Sequence, residues 1–401
     1  MTRPEVGLTS PEPGGRRPGS WEGPWAEWVA GRSAKARARH RWRELGQLDA
    51  LGLHGTDSNG RALVLFSSND YLGLSARPEV VAASIDAAQR WGTGAGAARL
   101  ISGSRPVHSA LEQELAAWKG EEAALVYPSG YSANVGAVPA LAGPGVLVCS
   151  DALNHASLVD GTRLARSMGA EVVSYHHGEV GEVAQALQSW SGRALVLSDL
   201  VFSMDGDRAP AEALAEVCAA HGALLVLDEA HAVLDHAATE LPCDLLRTGT
   251  LSKTLGSQGG FVAGPSEVVE LLVNRSRSFM FTTALAPPAA AAALAALRLL
   301  RSPVGDGLVA ALGRHAEALW PGRPGPSPIV PVPCGTEQAA LAASAELARR
   351  GMVVPAVRPP TVPPGTSRLR VTLSAVHTDG EVEALRAGLA DLGLQPAPLV
   401  G

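Results

Sequence analysis

Between residues 69 and 300 the chain alternates short, nearly unbroken apolar runs with longer stretches of helical period. Runs at 123–127, 145–149, 171–174, 194–198 and 223–227 have the length of buried strands. Stretches at 106–119, 178–188 and 210–221 instead space their apolar residues for one face of a helix. A strand that is apolar at odd and even positions alike has no face for water. Alternating such strands with helices lays the helices over both faces. The expected fold class is α/β, built on a mostly parallel sheet covered on both sides.

The pattern changes at both ends. Residues 1–24 are rich in Pro, Gly and charge and read as a disordered tail. Residues 25–66 form an N-terminal arm, amphipathic over 25–51, with turn signals at Gly52 and Asp57-Ser58-Asn59-Gly60 and a strand at 62–66. The large domain is assigned to 67–300. Beyond it proline becomes frequent and strands at 329–332, 353–357 and 369–373 alternate with helices at 337–349 and 379–392. Residues 301–401 are therefore expected to form a smaller α/β domain.

Composition narrows the function classes. Net charge is −6 and there is no Lys/Arg-rich helical face, which argues against nucleic acid as a partner. Cys149, Cys218, Cys243 and Cys334 are scattered without C-x-x-C spacing, so neither a zinc site nor a disulfide framework is expected. No apolar span is long enough to cross a membrane, and the N-terminus lacks the apolar segment of a secretion signal. The expectation is a cytoplasmic protein.

The chain has three lysines, Lys35, Lys119 and Lys253, against thirty arginines. An amine can lose its proton when desolvated and attack a carbonyl, and a guanidinium cannot. Lys253 lies in Thr250-Leu251-Ser252-Lys253-Thr254-Leu255-Gly256, 25 residues after the apolar run at 223–227 ends in Asp228-Glu229-Ala230-His231. A carboxylate at the end of a buried strand keeps a pyridinium nitrogen protonated, so that the ring accepts electrons. A lysine in a hydroxyl- and glycine-rich loop is then placed to hold the aldehyde. Together they point to pyridoxal 5′-phosphate (PLP).

The phosphate of such a cofactor needs a cradle. Tyr127-Pro128-Ser129-Gly130-Tyr131-Ser132-Ala133-Asn134 ends a strand and opens a helix, whose first N–H groups suit a phosphate monoester. Thr250 and Ser252 supply hydroxyls nearby. The run Gly92-Thr93-Gly94-Ala95-Gly96-Ala97 is not read as a dinucleotide site, because a helical stretch at 78–91 precedes it where that motif requires a strand.

These motifs, with several others, closely resemble the α-oxoamine synthases, a family of fold-type I PLP-dependent transferases. The resemblance runs from about residue 67 to 377. It is carried by Ser67-Ser68-Asn69-Asp70-Tyr71-Leu72-Gly73-Leu74, by Gly92-Thr93-Gly94 leading to Arg99-Leu100-Ile101-Ser102-Gly103, and by Asn154-His155-Ala156-Ser157. Further along stand Val201-Phe202-Ser203-Met204-Asp205-Gly206-Asp207, the Asp228 and Lys253 motifs, Arg358-Pro359-Pro360-Thr361-Val362-Pro363, and Arg368-Leu369-Arg370.

The resemblance implies that Lys253 carries the cofactor, Asp228 pairs with its pyridine nitrogen and His155 stacks on its ring. Ser203 and His231 would lie near its 3′-oxygen, and Ser129, Gly130, Tyr131, Thr250 and Ser252 near its phosphate. Thr282 or Thr283 would reach that phosphate from the second subunit of a homodimer. Arg358 would bind the amino-acid carboxylate, with Asn69 and Thr361 beside the substrate. Arg41 or Arg43 would assist the acyl substrate. The implied reaction is a decarboxylative condensation of an amino acid with an acyl-CoA or acyl carrier protein. The stretch at 358–363 favours alanine with a pimeloyl thioester, a step of biotin synthesis.

One segment departs from the family. Relatives continue after the histidine with a glycine-rich loop, whereas here Ala232-Val233-Leu234-Asp235-His236-Ala237 follows and no glycine occurs before Gly249. The rival readings are therefore relatives that join glycine or serine to other acyl thioesters, or a specialised acyltransferase. A non-catalytic partner subunit is the reading outside enzymes, and the presence of Lys253 opposes it.

Overall fold

The computed structural model describes residues 21–234, 236, 240–323 and 327–398. The tail expected at 1–24 falls almost wholly outside the described residues, as do Asp235 and Ala237 of the departing segment. Among the described residues, those up to Gly46 and those from Gln47 onwards form separate compact units. In the first, a helix spans Pro24–Ala38. It is not the amphipathic arm expected from sequence. Arg32 falls on the face that carries Trp25 and Trp28, and its guanidinium lies 5.1 Å from the Trp28 ring centre. No residue of this helix is buried.

The second unit is organised by a seven-stranded sheet. Across it the strands run Ala123–Tyr127, Gly260–Gly264, Leu245–Thr250, Leu224–Asp228, Arg193–Asp199, Val146–Asp151 and Glu171–Tyr175. Only Gly260–Gly264 runs against the rest. Successive residues feed opposite faces. Val146, Val148, Leu195, Leu197 and Val226 enter one apolar cluster, while Leu147, Cys149, Val196, Leu225 and Leu227 enter another. A third cluster joins the helices Pro106–Lys119 and Pro287–Leu300 to the C-terminal region. Leu111, Leu115, Leu297 and Leu300 are fully buried there, each worth about 1.5–3 kcal/mol.

Two central strands were not expected from sequence. Leu245–Thr250 carries Arg247 in its middle, a residue that ordinarily argues against a buried strand. The guanidinium is tolerated because it pairs with Glu229 and, at 2.8 Å, with Glu121. Gly260–Gly264 is short and bounded by glycines. An added Cβ at Gly260 would sit 2.3 Å from the Gly130 nitrogen, so only glycine allows this contact.

A single strand was expected at 353–357. The structure divides it at Val354-Pro355. Met352–Val353 pairs in parallel with Ala62–Leu65, and Ala356–Val357 pairs antiparallel with Ser367–Thr372. The latter belongs to a three-stranded sheet with Ile329–Gly335. Among the described residues no helix is long and apolar enough to cross a membrane, and no cluster suited to a metal ion occurs.

Candidate active site

Five parallel strands end in, or lead directly into, polar residues at the same edge of the sheet. Asp151, Asp199, Asp228 and Thr250 close four strands, and Ser129 follows Tyr127. Ligands of open α/β sheets bind beyond these carboxyl ends. The site grows from here.

Lys253 stands in the turn after Thr250. Gly256 N–H donates to the Lys253 carbonyl at 2.9 Å and Ser257 N–H to the Leu251 carbonyl at 2.9 Å. Gly256 takes φ +58°, and a Cβ there would lie 2.4 Å from the Ser75 nitrogen. The turn is thus tight against the segment at 74–75 and projects the lysine inward. Its Nζ lies 3.0 Å from His231 Nε2. Burial lowers the amine below its ordinary value, against the opposing pull of Asp228 and Asp199.

Asp228 is buried and held at both oxygens. Asn134 Nδ2 donates to Oδ2 at 2.6 Å, and Ala230 N–H donates to Oδ1 at 2.9 Å. Asn134 Nδ2 also donates to Ser157 Oγ at 2.9 Å, and that hydroxyl lies 2.7 Å from His155 Nδ1. One amide therefore joins the carboxylate to the histidine. Burial lowers His155 from the ordinary imidazole range, with Asp228 opposing. Asp199 sits beside Asp228, and burial raises its carboxyl well above the usual range, helped by the Asp228 charge.

The helix Gly130–Leu141 opens at the same edge. Ser129 caps it, its Oγ accepting from Ser132 N–H at 3.1 Å. A Cβ on Gly130 would lie 3.1 Å from Thr250 Cβ, so the first helical amides sit against the Thr250 side chain. Thr250 Oγ1 and Ser252 Oγ are 2.7 Å apart. Amides at a helix start beside two hydroxyls form an anion cradle.

Asn69 and Ser203 are drawn together by Arg370. Its Nη1 and Nη2 reach Asn69 Oδ1 at 3.3 and 3.4 Å, and its Nε donates to the Ser203 carbonyl at 2.5 Å. Arg358 is buried directly after Ala356–Val357, in a turn whose Thr361 N–H donates to the Arg358 carbonyl at 3.1 Å. Thr282 is half-buried and Thr283 exposed, after the helix Arg277–Met280. Among the described residues neither threonine shares a hydrogen bond with the Lys253 cluster. Arg41 and Arg43 belong to the separate N-terminal unit, where Arg41 N–H donates to the Ala36 carbonyl at 2.8 Å.

Among the residues of this site not singled out from sequence are Tyr71, Asn134, Asp199 and Arg370. Asp199 had a signal, since it ends an apolar strand as Asp228 does. The other three lie in quoted motifs, but their partners His231, Asp228 and Asn69 are 160, 94 and 301 residues away in the chain.

The donor set fits PLP. A desolvated amine, a buried carboxylate and an amide-and-hydroxyl cradle line one sheet edge. Glycines at 130 and 260 leave no room there for a side chain.

Comparison with known proteins agrees. The family model for aminotransferase class I and II matches residues 61–389. The 8-amino-7-oxononanoate synthase of Anaeromyxobacter dehalogenans strain 2CP-1 is 50% identical over 377 residues, covering 86% of this chain and 94% of its own. A serine palmitoyltransferase from S. paucimobilis, solved with a PLP–myriocin aldimine, superposes with TM-score 0.83 at 28% identity, over 92% of this chain and 98% of its own. The Francisella tularensis 8-amino-7-oxononanoate synthase shares the fold, with TM-score 0.68 at 23% identity over 82% of this chain and 96% of its own. The chain belongs to the aminotransferase class I and II family, and within it to the PLP-dependent α-oxoamine synthases.

Proposed function

We propose that this protein condenses L-alanine with a pimeloyl thioester to give 8-amino-7-oxononanoate, carbon dioxide and the free thiol, in biotin biosynthesis. The observation that carries the reading is the desolvated Lys253 amine, 3.0 Å from His231 Nε2 at the sheet edge that also presents Asp228. Half-identity to a synthase of that name over most of both chains supports the substrate pair.

In this reading Lys253, His155 and Asp228 are the catalytic residues. PLP, when bound, supplies an electron sink that stabilises negative charge at the amino acid's Cα. Lys253 would hold the cofactor through its amine, and the same amine would serve as the base for the Cα proton. Asp228 fixes a proton on the ring nitrogen, and Asn134 keeps that carboxylate oriented. His155 would cover the ring face, and Ser203 and His231 would lie near its 3′-oxygen. Ser129, Gly130, Tyr131, Thr250 and Ser252 receive the phosphate, with Thr282 or Thr283 added from a second copy in a homodimer. Arg358 orients the substrate carboxylate, with Asn69 and Thr361 beside it. The new bond joins Cα to the thioester carbon and the C–S bond breaks. The carboxylate then leaves as carbon dioxide and a proton returns to Cα. The enzyme would work in the cytoplasm, on either a CoA or a carrier-protein thioester.

The departing segment after His231 favours one second reading, an α-oxoamine synthase with another acyl donor. Thiol release separates them. Pimeloyl-CoA with alanine is expected to release thiol faster than acetyl-CoA with glycine or palmitoyl-CoA with serine. No release with alanine and pimeloyl-CoA, beside turnover of another pair, would transfer the assignment to that pair.

A further inference from the structure

His231 is buried, and its two ring nitrogens meet different groups. Tyr71 Oη lies 2.5 Å from Nδ1, and Lys253 Nζ lies 3.0 Å from Nε2. The neighbours decide which nitrogen carries the proton. Asn69 Oδ1 faces the guanidinium of Arg370 at 3.3 and 3.4 Å, so the amide presents its oxygen there. Tyr71 Oη lies 3.2 Å from the same oxygen, which only accepts. The phenol has one proton to give to this oxygen or to Nδ1; given to Asn69, it leaves a lone pair turned towards His231.

Burial pushes the Tyr71 phenol up to about 12, so it remains a hydroxyl. Burial, the largest cause, holds His231 well below the ordinary imidazole range and so neutral. A neutral imidazole has a single N–H. Facing the Tyr71 lone pair, that proton belongs on Nδ1, and Nε2 is left as a bare acceptor.

We propose that Tyr71 is a positioning residue that locks His231 as the Nδ1–H tautomer and thereby keeps the lone pair of the Lys253 amine free. A bare Nε2 takes one N–H of the amine and leaves its lone pair available to attack a carbonyl. An Nε2–H would donate into that lone pair and block it. The consequence for Lys253 rests on the function proposed above, while the tautomer does not.

The test uses the protein before PLP is added, labelled with nitrogen-15 histidine, with His231→Asn identifying the signal. In the wild type Nδ1 is expected to be protonated and Nε2 bare. In Tyr71→Phe the acceptor at Nδ1 is gone, and the signal is expected to move to the Nε2–H form. PLP uptake, followed by absorbance, should slow at least tenfold. A wild-type Nε2–H signal, an unchanged tautomer in Tyr71→Phe, or unslowed uptake after the switch would each overturn the proposal.

Should Tyr71→Phe fail to fold, Asn69→Leu serves instead. Without its acceptor the Tyr71 hydroxyl turns to Nδ1, and the same tautomer switch is expected; no switch counts against the lock. A wild type with the expected tautomer that takes up no PLP supports the lock and contradicts the function proposed above.

Discussion

Asp199 and Asp228 stand in register at the ends of adjacent parallel strands, and the two carboxyls divide the labour of charge. Asp199 is raised well above the carboxylate range, chiefly by burial and then by its neighbour. Of the two carboxyls, Asp199 is thus the one whose protonated form the fold favours.

The division predicts opposite outcomes for one chemical change. Asp199→Asn puts a neutral amide where the fold favours the neutral acid and is expected to keep PLP affinity within about threefold. Asp228→Asn removes the charge and is expected to lower turnover at least a hundredfold. Because the folded protein holds the Asp199 proton above the unfolded value, wild-type stability falls as pH rises from the ordinary carboxylate range to the raised folded value. Asp199→Asn should flatten that fall in a series of urea unfolding curves. An unchanged slope would contradict the assignment.

Asn134 donates to Asp228 at 2.6 Å and to Ser157 at 2.9 Å from one nitrogen. Asn134→Leu keeps the branched outline of the side chain and removes both bonds, one to a buried carboxylate. The expected cost is about 1.5–3 kcal/mol in unfolding free energy, with PLP affinity lowered as well. Urea denaturation and a PLP titration check the two effects.

His177 tests the support behind the site. Its Nδ1 lies 3.1 Å from Asp151 and its Nε2 2.7 Å from Asp207, and these hydrogen bonds raise it to about 10. A histidine with a raised folded value contributes fully below its unfolded value and loses the contribution as pH rises through the folded one. The ring is partly exposed, so the contribution is set at about 2 kcal/mol after screening. His177→Gln should lose that amount at pH 6, progressively less above it, and little beyond pH 10. Equal losses across the range would refute the ion-pair account.

The sheet and its chemistry were legible where local pattern and tertiary need coincide. The strand into Asp228 and the Lys253 turn are of this kind, because an apolar run and a hydroxyl-rich glycine turn keep the same meaning in any context. Leu245–Thr250 was not legible: Arg247 is buried only because Glu229 and Glu121 meet it, and no local pattern announces a partner 126 residues away. The expected strand at 353–357 failed for a related reason. Its two halves pair with separate sheets, so continuity of apolar character misled. Tyr71 stood inside a quoted motif, yet its meaning depends on His231, 160 residues distant.

The central claim is that Lys253 is the residue that takes PLP, and chemical trapping tests it most directly. Protein incubated with PLP, reduced with borohydride and digested should carry a pyridoxyl group on the peptide containing Lys253, and Lys253→Ala should carry none. An adduct confined to Lys35 or Lys119, or no adduct at all, would contradict the account.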